Sequence, residues 1–125
     1  MRAATLVGLT MVALAAAAWG ADPPSATAVV CTGVKDRAAE GAATAFPASV
    51  GQLTCLSELY GVKDGVVHVW LHGGKEVGRM SLPVKAERWR TWSTKKILPA
   101  MTGEWKVEVR DGAGGVLATA GFTVQ

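Results

Sequence analysis

The 125-residue sequence lacks the short motifs that mark common catalytic sites. It has no G-x-S-x-G nucleophile elbow, no H-E-x-x-H zinc motif and no glycine-rich phosphate loop. Its carboxylates lie mostly in alternating surface rows or in turns, and no base accompanies Ser93, which has cationic neighbours. We therefore expect a protein that is not an enzyme. A hydrolase whose catalytic side chains the motifs do not reveal is the weakest of the three functional hypotheses.

The sequence also has little net charge, with 13 Lys and Arg residues against 10 Asp and Glu residues. Such a small excess neutralises few phosphates, so nucleic acid is not an expected partner. It has only two histidines, His68 and His72. Four positions along a strand separate them by roughly 13 Å, which is too far for both to bind one metal ion. We expect neither a metal site nor a cofactor.

The chain contains a single long apolar run, Leu6 to Ala18, near its start. Arg2 precedes this run, and Ala18-Trp19-Gly20 follows with small residues at the cleavage-determining positions. The run is shorter than the roughly 20 residues that span a bilayer, which favours a cleaved signal peptide over an anchor. Residues 1–20 are thus predicted to be a signal peptide. The mature protein is expected in the periplasm or outside the cell, with no membrane span after cleavage.

Cysteine is scarce, with one residue at position 31 and one at position 55. An even number of cysteines in an exported chain predicts a structural disulfide, here between Cys31 and Cys55. In the chain-entropy picture such a bond contributes about 3 kcal/mol. The two residues are too far apart in sequence to form a CxxC unit, so a redox or metal-binding pair is the weaker alternative.

The mature part divides into a flexible leader at residues 21–27 and a single domain at residues 28–125. Within that domain, short alternating segments are separated by turn signals such as Lys63-Asp64-Gly65 and Gly73-Gly74, with a long loop predicted at residues 35–49. This pattern predicts an all-β fold, an antiparallel β-sandwich of immunoglobulin-like architecture with about seven strands. A small β-barrel is the alternative.

Two of these segments alternate with particular regularity. In the segment 103–110, Trp105, Val107 and Val109 should be core, with Lys106 and Glu108 exposed, because a one-residue slip would bury four charges. In the segment 66–72, three aliphatic residues point one way and three aromatic-ring residues the other. We interpret the second set as a half-exposed stripe on an open sheet face: His68, Trp70 and His72.

The segment 88–95, RWRTWSTK, concentrates two indoles and three cations in one predicted strand. Because Trp89 and Trp92 are three positions apart, a regular strand sends them to opposite faces, so one should be buried and the other exposed. The cations either pair with carboxylates on neighbouring strands, such as Glu76 or Glu104, or line a binding surface for an anionic group. The candidate ligand-binding residues are Arg88, Arg90, Trp92 and Lys95.

Several stretches of this sequence occur together in a known family. They are HVW at 68–70, GKEV at 74–77, LPV at 82–84, RWRTWSTK at 88–95, GEWKVEV at 103–109 and FTV at 122–124. In these residues the chain resembles the bacterial domain of unknown function 2914 family, over approximately residues 66–124. The resemblance implies a β-rich module of the bacterial envelope. It carries over no activity, substrate or catalytic residue.

Together these observations predict an exported, non-enzymatic binding or interaction module of the bacterial cell envelope. The expected partner is either an anionic envelope ligand, such as an anionic sugar or a lipid phosphate, or another envelope protein with an acidic surface. The second hypothesis is a structural accessory domain that only docks onto another envelope protein.

Overall fold

The computed structural model describes residues 23–125. The predicted signal peptide and the first two leader residues lie outside these described residues. In the part of the chain that is described, no helix is long and apolar enough to cross a membrane.

Alternating apolar residues and frequent glycine turns fold the described residues into β-strands without helices. The ten strands are β1 (Ser25–Cys31), β2 (Gly33–Lys35), β3 (Ala38–Glu40), β4 (Ala45–Phe46), β5 (Gln52–Tyr60), β6 (Val66–His72), β7 (Lys75–Leu82), β8 (Arg88–Lys96), β9 (Gly103–Arg110) and β10 (Val116–Val124). The turn between β6 and β7 is the predicted one, since Gly73 and Gly74 both have positive φ, at 58° and 83°.

Two sheets form the sandwich, one of three strands in the order β1-β5-β8 and one of five in the order β4-β10-β9-β6-β7. Neighbouring strands are antiparallel, except that the short β4 runs parallel to β10. The chain crosses between the sheets after β4, β5, β7 and β8, as in immunoglobulin-like sandwiches. The predicted fold class is thereby confirmed.

The three additional strands lie in the predicted loop at residues 35–49 and just before it, where the expectation was wrong. β2 and β3 form a small hairpin whose turn residues, Asp36 and Arg37, have φ of 52° and 63°. Two successive left-handed residues match the twist of a two-residue hairpin turn, although arginine seldom takes this conformation. The flexible leader is also corrected, because residues 25–27 pair with β5 as the start of β1.

The core lies between the two sheets, and the pattern of β9 is confirmed there. Trp105, Val107 and Val109 are at most 3% exposed, whereas Lys106 is exposed. Glu108 departs from the expectation. Its side chain is only 14% exposed, because it lies between Lys106 and Arg110 and forms an ion pair with each of them.

The orientation of β6 is opposite to the predicted exposed stripe. His68 and Trp70 are 0% and 1% exposed, because they face the three-stranded sheet. The aliphatic side of the strand faces outward. Val69 is nevertheless fully buried there, since the register places it between Arg79 and Glu108, whose side chains cover it. An open aromatic face on β6 therefore does not exist.

Candidate functional site

Strand β8 divides the tryptophans of the RWRTWSTK segment between the two faces of its sheet. Its register with β5 pairs Trp89 with Leu59, on the core side, and Trp92 with Leu56, on the opposite side. Trp89 packs against the core and is half-buried, whereas Trp92 is 40% exposed. The predicted placement of the two indoles on opposite faces is confirmed, although the inward Trp89 is half-buried where full burial was expected.

We call the solvent side of the three-stranded sheet the outer face. A row of apolar side chains crosses it from strand to strand, because Val29 pairs with Leu56 and Leu56 pairs with Trp92. Val29 is 39% exposed, so both ends of this row are open to solvent. Directly paired side chains lie about 4.5–5.5 Å apart, which makes the row a continuous surface.

Beside the apolar row, two arginines share one carboxylate. The Arg90 Nε donates to Glu58 Oε2 at 2.8 Å, and the Arg88 Nη2 lies 3.4 Å from the same oxygen. The hydrogen bond from Arg90 is the main reason that the pKa of Glu58 lies below its usual value. The arginines thus do pair with a neighbouring strand, but the partner is Glu58 instead of Glu76 or Glu104. Exposed pairs of this kind contribute little stability.

The outer face remains positively charged despite this pairing. Arg88, Arg90 and Lys96 project from β8 on this side, against the single carboxylate of Glu58. The Arg88 side chain is 67% exposed, and its guanidinium carbon lies 5.8 Å from the centre of the Tyr60 ring. Arg88 therefore keeps donors available for an anionic group.

The hairpin formed by β2 and β3 borders the same face. The Arg90 Nη1 donates to the Arg37 carbonyl oxygen at 3.0 Å, which joins the hairpin turn to β8. Below the hairpin a cavity of about 230 Å³ is lined partly by Val29 and Leu56 of the apolar row, together with Arg90. A ligand on the outer face would therefore meet an apolar floor, a cationic side and the hairpin as a wall.

Lys95, the fourth candidate residue, does not join this face. Its register partner is Leu53, on the core side, and its stem lies across Gly78 of β7. A Cβ atom at Gly78 would be only 3.2 Å from the Lys95 Cδ. The alternation of a strand explains this correction, since Lys95 shares the parity of Trp89. Lys96 takes the outward position instead.

A second polar group lies inside the sandwich, where β6 meets β5 and β8. The His68 Nε2 is 2.7 Å from the Ser57 Oγ, and its Nδ1 is 2.7 Å from the Ser93 Oγ. The Trp70 Nε1 donates to the same Ser93 oxygen at 3.1 Å. At the other end, the Ser57 hydroxyl donates to the Thr91 carbonyl oxygen at 3.4 Å.

These contacts fix the direction of the hydrogen bonds. Because a carbonyl oxygen can only accept, the Ser57 hydroxyl donates to Thr91, and the Ser57 oxygen therefore accepts from the His68 ring. The proton of a neutral His68 consequently lies on Nε2 and is donated to Ser57. Burial lowers the pKa of His68 to about 4, which favours this neutral form.

A serine hydroxyl next to a histidine could serve nucleophilic catalysis in an open cleft. Here Ser57, His68 and Ser93 are 0%, 0% and 4% exposed. Every buried side-chain nitrogen and oxygen in the described residues also has a partner. The group is thus a satisfied polar link between the sheets that a substrate cannot reach.

The predicted disulfide is not present, because Cys31 and Cys55 are both free, buried thiols. The register of β1 and β5 explains this correction. Cys55 pairs with Val30, so adjacent Cys31 points to the other side of the sheet, where its Sγ donates to the Thr54 carbonyl oxygen at 3.5 Å. Burial raises the pKa of Cys55 to about 12, which keeps its thiol protonated.

Elsewhere, a cavity of about 770 Å³ opens at the end of the sandwich that carries the loops 61–65 and 111–115. Its lining contains Lys63, Asp64, Glu87 and Asp111, and none of the RWRTWSTK segment. Within residues 23–125, no group of three or more His, Cys, Asp and Glu side chains is arranged to hold a metal ion.

Comparisons with known proteins give a solved structure and a family. The solved structure, the crystal structure of MHC-like MILL2, is similar with a TM-score of 0.44 and 17% sequence identity. The match covers 93% of this chain, which spans only 39% of that chain. No curated protein matches. Residues 63–124 match the model of a family described as "Protein of unknown function (DUF2914)", so the chain is similar to that family over its C-terminal half.

Proposed function

We propose that the protein is an exported, non-enzymatic binding module of the bacterial cell envelope, and that it holds an acidic ligand on its outer face. The observation that carries this proposal is the exposed Trp92, which continues an apolar row and stands beside Arg88 and Arg90. An exposed indole offers a large, rigid contact surface, and guanidinium groups bind carboxylate or phosphate in a fork.

Two further observations support a binding role over catalysis. The histidine with the strongly lowered pKa is sealed between the sheets, and it does not line the cavities at the hairpin or at the loop end. The outer face itself presents guanidinium, ammonium and indole groups, which hold a ligand, and its one carboxylate, Glu58, is already bound to arginine. A group held charged in this way is a poor proton shuttle near neutral pH.

Retention of the purified, exported protein on immobilised polyglutamate tests the proposal. We expect binding at low salt that weakens steeply as salt increases, since exposed charges are screened. Trp92→Ala and Arg90→Gln should each weaken retention about tenfold or more, which corresponds to about 1.4 kcal/mol. The melting temperature of each folded variant should be measured alongside, because retention is meaningful only for folded protein.

Matched controls separate the outer face from the rest of the surface. Arg79→Gln removes an exposed arginine that pairs with Glu76 on the five-stranded sheet, and Val116→Ala truncates an apolar residue that is 51% exposed. Both should leave retention unchanged. Equal loss in Arg79→Gln and Arg90→Gln would show that overall charge, and no particular face, causes binding, and would overturn the proposal.

A further inference from the structure

We propose that the free edge of β8 accepts an extended acidic segment of a partner protein as a fourth strand of the small sheet. This inference rests on the proposed function, because the side chains of that segment would be the acidic ligand of the outer face. It adds the form of the ligand, a β-strand, and the place where its backbone binds.

Strand β8 forms a long, regular edge of the small sheet. In the described part of the chain, β8 is the last strand of the order β1-β5-β8, so one side of its backbone has no strand partner. Nine consecutive residues pair with β5 without a bulge, and none of them is proline. Long, regular edges of this kind are templates for strand addition.

The neighbouring edge strand is protected by contrast. The pairing of β7 with β6 shifts its register between Trp70 and Leu71, and Pro83 follows directly after the strand. Bulges and prolines are common means of blocking an edge. Of the two free edges on this side of the sandwich, β8 is therefore the one open to pairing.

An exposed methionine lies on the core-facing side of β7. Met80 pairs with His68, so both side chains point toward the small sheet. His68 is completely buried there, but Met80 is 46% exposed. The difference arises because the small sheet ends at β8, which leaves the inner side of β7 uncovered next to it. A fourth strand beside β8 would cover Met80.

The positive charge on the outward side of β8 determines which kind of strand can pair with it. The outward side chains of β8 include Arg88, Arg90 and Lys96, and side chains on paired strands meet at about 4.5–5.5 Å. A second copy of β8 would bring these cations against their own kind, which disfavours self-pairing. A segment with Asp or Glu at alternate positions would pair with them, while its other side chains, if apolar, would contact Met80.

The outer face alone is too small for a standard protein interface, and strand addition would enlarge the contact. The small sheet is about 14 Å wide and about 30 Å long, so its outer face offers roughly 400 Å². A standard protein interface needs about 800 Å² from each partner. Backbone hydrogen bonds along β8 supply affinity that so small a face would not provide, and the alternating side chains supply specificity.

A nine-residue peptide of alternating glutamate and valine is the probe, with a lysine and valine peptide as the matched control. Calorimetric titration of the purified protein should show binding of the first peptide and none of the second. Two further versions of the glutamate and valine peptide carry N-methyl groups on the backbone. In the first version every glutamate amide is methylated, and in the second version every valine amide is methylated. Only one set of amides in an added strand faces β8, so one N-methylated peptide should bind at least about tenfold more weakly than the other.

Hydrogen exchange and one variant complete the test. Alternate amides of β8 should become protected when the unmethylated peptide binds, and Met80→Ala should weaken binding about tenfold, with Val116→Ala unchanged. If polyglutamate binds but the two N-methylated peptides bind equally and β8 gains no protection, strand addition is wrong and the proposed function stands. If neither polyglutamate nor the peptide binds, both are wrong.

Discussion

Replacing Trp105 with alanine should lower the free energy of unfolding by about 3–5 kcal/mol, the usual range for an aromatic residue removed from a core. The indole is 3% exposed and stacks between the rings of His72 and Phe122, with centroids at 4.5 and 5.7 Å. Its Nε1 also donates to the Met101 carbonyl oxygen at 2.9 Å, and the substitution leaves that acceptor without its partner.

Thermal unfolding of the two proteins under identical conditions checks this expectation. For a domain of about 100 residues, each kcal/mol lowers the melting temperature by roughly 4–8 °C, so the decrease should exceed about 12 °C. Val116→Ala is the control, because an exposed residue of similar strand context should change stability by no more than about 0.5 kcal/mol. A similar melting temperature for Trp105→Ala and Val116→Ala would contradict the packing of β9.

The second large effect is a loss of stability between pH 6.5 and pH 4 that arises from His68. In the unfolded chain this residue has its ordinary pKa of 6.5, whereas burial in the fold lowers the pKa to about 4. Between these values the unfolded chain binds a proton that the folded chain does not, so acidification favours unfolding. A difference of this size corresponds to about 3 kcal/mol, and this contribution is constant above pH 6.5.

Denaturant unfolding at a series of pH values measures this loss. The carboxyls of Glu58, Glu76 and Glu108 have pKa values below the usual 4.5, so the stability that they contribute is lost at lower pH. His68→Gln should abolish the slope between pH 6.5 and pH 4.5, whereas His72→Gln should retain it.

Nitrogen NMR of the wild-type ring gives an independent reading, in case His68→Gln does not fold. At pH 6 the His68 ring should be neutral with its proton on Nε2. A charged ring at that pH, or a proton on Nδ1, would show that the link between Ser57 and Ser93 is arranged differently.

Alternation alone was enough to predict the class of the fold and its seven longer strands, whereas the short strands β2, β3 and β4 were missed. β9 is the clearest example, because its apolar and charged rows leave a single register that keeps the charges in water. The same rule located Trp89 and Trp92 on opposite faces of β8. By the same alternation, Lys95 lies on the core side of β8 together with Trp89.

Other features depend on contacts that are distant in sequence. β6 is apolar on both sides, so its own pattern does not show that His68 faces inward. What decides its orientation is that Ser57 and Ser93, 11 and 25 positions away, bind both ring nitrogens. Likewise the partner of Arg90 is Glu58, 32 positions earlier, because the register of β5 with β8 sets them opposite each other.

The cysteines show the same dependence on register. The presence of two cysteines in a chain expected to be exported predicts a disulfide. The bond also requires that both side chains lie on the same side of the sheet. Pairing Val30 with Cys55 places Cys31 one residue out of step. A shift of one residue in the pairing of β1 would have brought the two thiols together, and composition cannot reveal such a shift.

The central claim is that an acidic ligand binds the outer face of the small sheet through Trp92 and its neighbouring arginines. Titration of the nitrogen-15-labelled protein with polyglutamate, followed by NMR, tests it most directly. We expect the signals of the Trp92 indole N–H and the Arg90 Nε–H to shift together, and to return as salt is added. Unchanged Trp92 and Arg90 signals, with shifts confined to the loops 61–65 and 111–115, would contradict the account and place binding in the cavity that these loops line.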